Sequence, residues 1–122
     1  MLEGKFFDIK NIEQVDESYF VKLNLLSTYA GYKGHFPDMP VAPGVCLTQM
    51  AKEVLQKIVE RKLLLSDGLN IKFLKVVNPN ETPEMNMEVK YSITEEGTFK
   101  ASSILKVKED KYFSITAIFA TK

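Results

Sequence analysis

The chain has one cysteine, one histidine, one arginine and no tryptophan among its 122 residues. A lone cysteine, Cys46, excludes an internal disulfide, and a lone histidine, His35, excludes a Cys/His zinc cluster. Only carboxylates could assemble a metal site, and neither a metal nor a cofactor is expected. Arg61 is the single guanidinium among sixteen basic residues, which sixteen acidic residues balance to a formal charge of zero. Nucleic-acid recognition leans on basic stripes and arginine forks, so no nucleic-acid partner is expected. The first eight residues, Met1 to Asp8, carry charges where a secretion signal needs an apolar core. No apolar run approaches the roughly 20 residues that span a bilayer. The expectation is a cytoplasmic protein, off the membrane, with residues 1–122 forming one domain.

What is present is patterned. Tyr19, Val21, Leu23 and Leu25 alternate with Phe20, Lys22 and Asn24, the period of a strand with a buried face. Lys5 to Val15 reads as its hairpin partner, with ragged alternation, across a turn at Asp16-Glu17-Ser18. From Val45 to about Lys62 the period becomes helical. Leu47, Met50, Ala51, Val54, Leu55 and Ile58 form one stripe, with Gln49, Glu53, Gln56 and Glu60 opposite. That pattern predicts a helix ending near Leu63–Leu65, then a turn at Ser66-Asp67-Gly68. Strands are predicted at Ile71–Val77, Met85–Ile93, Phe99–Val107 and Phe113–Phe119. Turns at Glu95-Glu96-Gly97 and Glu109-Asp110-Lys111 join the last three into a meander. The order β-β-loop-α-β-β-β-β makes an α+β domain whose antiparallel sheet must cover the apolar stripe of one long helix.

Between the second strand and the helix, Thr28 to Gly44 holds three of the five prolines and three of the six glycines. Each proline locks its own φ and biases its predecessor towards extended backbone, so this is a stiff loop that holds its side chains in place. Within it stands Gly34-His35-Phe36-Pro37-Asp38-Met39-Pro40-Val41-Ala42-Pro43-Gly44-Val45. This string resembles the signature of hotdog-fold (3R)-hydroxyacyl-acyl-carrier-protein dehydratases, G-H-F-P-x-x-P-x-x-P-G-V before the central helix. Ile71 to Glu81 is similar to the segment of that family that ends in P-G-D, with Asn80 in place of glycine. Asparagine tolerates a left-handed turn position, so the turn should survive. The resemblance covers most of the chain and implies a hotdog fold: an antiparallel sheet wrapped around one central helix. The usual N-terminal helical segment of the family is expected to be missing.

The resemblance implies loss of water across C2–C3 of a 3-hydroxyacyl thioester. That reaction needs a base for the C2 proton, a donor to the thioester carbonyl and an acid for the departing hydroxyl. His35 takes the part of the base. Gly44 takes that of the carbonyl donor, through a backbone N–H at the positive end of the helix dipole, with Val45 supplying the next N–H. Phe36 and Pro43 belong to the substrate-binding surround. The family places Glu or Asp fourteen residues after the histidine; here that position is Gln49. An amide orients a water or hydroxyl but supplies no proton at neutral pH. Glu53, one turn further on, is a possible surrogate acid, displaced by about 6 Å along the axis. Alternatively, Gln49 is an ordinary polar-face residue. Cys46 reads either as a thiol activated in the first helical turn or as a small apolar filler.

Three functions fit these residues. The first is a dehydratase, impaired by the missing acid, acting on an acyl chain carried by acyl carrier protein or coenzyme A. The second is a hotdog thioesterase relying on Glu53. The third is a non-catalytic acyl-thioester-binding subunit. Relatives of this kind build each site from two protomers, so a homodimer or higher even oligomer is expected. An acidic carrier protein would meet Lys33, Lys72 and Lys75, which flank the two family-like segments.

Overall fold

The computed structural model describes residues 1–32 and 40–122. Its elements are β1 (Phe7–Val15), β2 (Ser18–Leu25), a single 3-10 turn (Ala30–Tyr32), α1 (Gly44–Val59), β3 (Leu63–Phe73), β4 (Glu84–Ile93), β5 (Phe99–Val107) and β6 (Asp110–Thr121). The six strands form one antiparallel sheet in the order β1-β2-β4-β5-β6-β3. Pairs such as Val21↔Met87, Met87↔Leu105 and Leu105↔Phe113 set the register, and every one of these side chains is buried. They form one apolar cluster with Leu47, Met50, Ala51, Val54 and Leu55, the predicted stripe of α1. Period-two and period-3.6 patterns thus meet face to face, and each large side chain so buried contributes about 1.5–3 kcal/mol. Among the described residues, no helix is long and apolar enough to cross a membrane.

The ragged alternation of β1 has a physical origin: its register slips between Ile9 and Asn11, a bulge that displaces one residue. Val15 pairs with Ser18, so the turn is Asp16-Glu17, with Asp16 at φ 56°. The β5–β6 turn also sits earlier than predicted. Val107 pairs with Asp110, and Lys108, at φ 53°, makes the turn with Glu109.

The helix and the strand after it differ most from expectation. α1 stops at Val59, where Glu60 turns left-handed at φ 56° and donates its N–H to Gln56 O. Leu63, Leu64 and Leu65 open β3 instead of closing the helix, and Leu63 N–H donates to Gln56 Oε1 at 2.9 Å. Ser66-Asp67-Gly68 is no turn. It lies inside β3, where the register against β6 shifts between Leu65 and Asp67 and again between Gly68 and Asn70. β3 ends at Phe73, and Leu74–Val77 is irregular chain anchored by Leu74 N–H and Lys75 N–H to Tyr112 O and by Ala42 N–H to Val77 O. The pattern misled because β3 is an edge strand: only Leu63 is buried, so no alternation was imposed on the rest.

Candidate active site

The site is built at the start of α1. Pro43 is the N-cap, extended at φ −64° and ψ 145°, and its carbonyl accepts Cys46 N–H at 3.0 Å and Leu47 N–H at 3.1 Å. Gly44 and Val45 are the first helical residues, and neither N–H has an acceptor among the described residues. Two unpaired donors at the positive end of a sixteen-residue helix are a ready receiver for a carbonyl oxygen. Val45 is exposed, so this surface faces outward. Beside it lies a cavity of about 230 Å³ lined by Ala42, Leu47, Phe73, Leu74, Lys75, Val76 and Val77.

Gly44 has a neighbour that the sequence did not announce. A Cβ at this position would lie 2.8 Å from two ring carbons of Phe73, so the ring at the end of β3 rests where a side chain would be. Phe73 in turn leans on Phe113, with ring centroids 5.3 Å apart. The absence of a side chain at Gly44 therefore makes room for the ring. No spacing rule in the sequence links residues 44 and 73; pairing of β3 with β6 brings them together.

His35 and Phe36 lie in 33–39, outside the described residues, as does Lys33. Cys46 is buried, and burial pushes its thiol upward, against the opposing pull of the Tyr29 hydroxyl. Burial rather than dipole activation governs it, so the nucleophile reading gives way to the filler. The P-G-D-like turn forms without a left-handed residue at Asn80. Asn78 builds it, accepting Asn80 N–H on Oδ1 at 2.9 Å and Glu81 and Thr82 N–H on its carbonyl.

Glu53 is the other correction. Placed opposite the apolar stripe by the helical wheel, it is instead only 1% exposed. Its carboxylate takes Leu2 N–H at 3.0 and 2.8 Å, Glu3 N–H at 2.9 Å and Gln49 Nε2–H at 2.8 Å. The N-terminal segment covers that flank of α1, which a wheel cannot foresee. Both oxygens are engaged by N–H donors, so the geometry speaks against a surrogate acid free to face a substrate. Gln49, by contrast, is only partly buried, and its spacing of four from Glu53 was the one available sequence signal for their contact.

The family model of the ApeI-like proteins, described as ApeI dehydratase, matches residues 11–114, which takes in the proline loop, α1 and most of the sheet. The chain belongs to the ApeI-like dehydratase family. A 3-hydroxyacyl-acyl-carrier-protein dehydratase FabZ of Caldanaerobacter subterraneus subsp. tengcongensis is 34% identical over 94 residues, 71% of this chain and 65% of that relative. The FabZ of Thermoanaerobacter pseudethanolicus is 32% identical over 109 residues, 84% of this chain and 75% of the relative. Solved structures share the fold at low identity. The dehydratase heterocomplex ApeI:P from Xenorhabdus doucetiae aligns with TM-score 0.64 at 18% identity, over 92% of this chain and 96% of the other. The dehydratase domain from the CurF module of curacin polyketide synthase aligns with TM-score 0.53 at 12% identity, over 94% of this chain and 42% of that one. The ApeI-like chain is thus a hotdog domain in which the sheet packs on a single helix.

Proposed function

We propose that this ApeI-like chain is a (3R)-hydroxyacyl thioester dehydratase of the fatty-acid or polyketide type. One observation carries the reading: the G-H-F-P-x-x-P-x-x-P-G-V string leads directly into a helix whose Gly44 and Val45 N–H groups have no acceptor among the described residues and lie beside an apolar cavity. The thioester carbonyl accepts Gly44 N–H, which acidifies C2, and His35 removes the C2 proton as the C3–O bond breaks. The hydroxyl must leave with a proton. Gln49 has none to give, so it comes from the imidazolium just formed on His35, directly or through a water held by the amide. The acyl carrier is an acyl carrier protein or coenzyme A, and the setting is cytoplasmic.

The exposed apolar edge supports assembly. β3 presents Leu64, Leu65, Leu69 and Ile71 to solvent on a strand paired on one side only, and an unprotected edge of this kind seeks a partner strand. We place the two-fold axis of a homodimer, or of a higher even oligomer, along it, with each site drawing on both protomers. A second reading is a binding subunit working beside an active one, favoured by Gln49 at the acid position and by a structural neighbour that is itself a dehydratase heterocomplex. A thioesterase loses ground because Glu53 is already engaged.

The test is enoyl formation from short (3R)-hydroxyacyl thioesters by wild type and His35→Ala. Slow turnover by wild type, lowered a further 10²–10⁴-fold (roughly) by His35→Ala, is expected. Tight acyl-thioester binding with no turnover by wild type would replace this reading with the binding subunit.

A further inference from the structure

Gln49 Nε2 lies 2.8 Å from Glu53 Oε2. A carboxylate only accepts hydrogen bonds, so the amide must turn its NH2 towards Glu53, and its oxygen is left pointing away. Among the described residues Gln49 Oε1 takes part in no hydrogen bond and is not among the buried unpartnered atoms. Both oxygens of Glu53 are already engaged. Oε1 holds Leu2 and Glu3 N–H, Oε2 holds Leu2 N–H as well, and Glu3 is tied back to the helix by Lys57 at 3.5 Å. The N-terminal segment clamps the carboxylate, and the carboxylate clamps the amide.

We propose that Glu53 is a positioning residue that sets the polarity of the site: it fixes Gln49 as a hydrogen-bond acceptor towards the substrate, which selects a hydroxyl over a carbonyl at C3. A 3-hydroxyl can donate to Gln49 Oε1. A 3-oxo group has only lone pairs to offer and meets another acceptor, an arrangement that costs affinity without compensation. In a Glu53→Gln variant the side-chain oxygen can keep Leu2 and Glu3 N–H at the Oε1 position, while the new NH2, in place of Oε2, gives up its bond from Leu2 N–H and faces position 49. Gln49 must then flip, offering its oxygen inward and its NH2 to the substrate. The preference at C3 inverts although nothing that touches substrate has been replaced.

The ligand in this inference rests on the dehydratase reading; the orientation of the amide does not. Two measurements keep them apart. Competition binding compares a 3-hydroxyacyl with a 3-oxoacyl thioester of the same chain length on wild type and Glu53→Gln, with the fold of each checked by its amide spectrum. Wild type should favour the hydroxyacyl form by about tenfold or more, and Glu53→Gln should erase or reverse that ratio. An unchanged ratio in a folded variant overturns the proposal. Should neither ligand bind wild type, the dehydratase reading fails. The side-chain amide of Gln49, assigned by its loss in Gln49→Leu, then decides alone. Protection of its protons from exchange in wild type sustains the clamp, and exchange as fast as a free glutamine overturns it, whether or not Glu53→Gln folds.

Discussion

In the proposed dehydratase chemistry Gln49 stands where a proton donor would serve, and its contact with Glu53 predicts what an acid placed there does. Gln49→Glu places a second carboxyl at hydrogen-bond distance from Glu53 Oε2. Two carboxyls that close hold one proton between them, which keeps the new group protonated above the ordinary carboxylate range. Where the shared proton can pass on to the departing hydroxyl, dehydration should rise, by up to about 10²–10⁴-fold, and the gain should fade as pH increases and that proton is lost. A pH–rate profile of the variant against wild type measures both; a pH-independent gain, or none, removes the mechanism. Tyr32 makes a separate test. It is 5% exposed, its hydroxyl has no partner among the described residues, and burial, with Cys46 and Tyr29 nearby, pushes it up to about 12. A raised value means that the folded state keeps a proton the unfolded chain releases near pH 10. Below about pH 10 both states hold the proton and titration of Tyr32 does not change stability; as pH climbs from about 10 towards 12 the unfolded chain alone releases it and stability falls. Tyr32→Phe should stabilise the protein by up to about 1 kcal/mol at neutral pH and flatten the fall in thermal midpoint over that alkaline window.

Elements matter through where they end. β3 delivers Phe73 onto Gly44 at the first turn of α1, so the donor end of the helix and the last residue of an edge strand are one structural unit. Gly44→Ala forces the ring outward. Phe73 is 59% exposed and can swing, so the cost in stability should be no more than about 1 kcal/mol. Phe73→Ala should abolish that cost in a double-mutant cycle of chemical denaturation. A penalty that persists without the ring would mean that the helix start, not Phe73, rejects a side chain. The same strand explains a misreading. Leu63-Leu64-Leu65 extends the apolar stripe of α1 on paper, but Glu60 has already turned left-handed, and the chain leaves the helix for the sheet.

For the whole molecule, the exposed apolar edge should govern assembly. Leu69 is 47% exposed on β3, and Leu69→Lys puts a charge on an edge proposed to pair with its own copy. Sedimentation equilibrium should report a dimer or higher even oligomer for wild type and a shift towards monomer for the variant. A monomeric wild type at micromolar concentration would end the assembly proposal. Carrier docking should depend on charge, but the two lysines at this end are unequal. Lys75 is 3.5 Å from Asp110 and sits over the Tyr112 ring at 5.5 Å, whereas Lys72 belongs to no ion pair among the described residues. Charge reversal at Lys72 should slow association with an acidic carrier protein more than it changes maximal turnover, and added salt should do the same. Salt-independent binding would point to coenzyme A.

Local order was legible without coordinates wherever one chemistry repeated at one period. The buried faces of β2, β4, β5 and β6 and the stripe of α1 follow from alternation and 3.6-residue spacing, because burial on one side dictates every second or every third and fourth residue. The glycine at the helix start was equally plain, whereas much of the loop string before it lies in 33–39, outside the described residues. What could not be read is what depends on a neighbour distant in sequence. Whether Glu53 faces water or the N-terminal segment, whether Gly44 faces space or Phe73, and whether Leu63-Leu64-Leu65 ends a helix or begins an edge strand are settled by Leu2 and Glu3, by Phe73 and by the β6 partners Thr121, Ala120 and Phe119, all distant in sequence. A helical wheel knows only its own axis; the fold decides what lies across from each face.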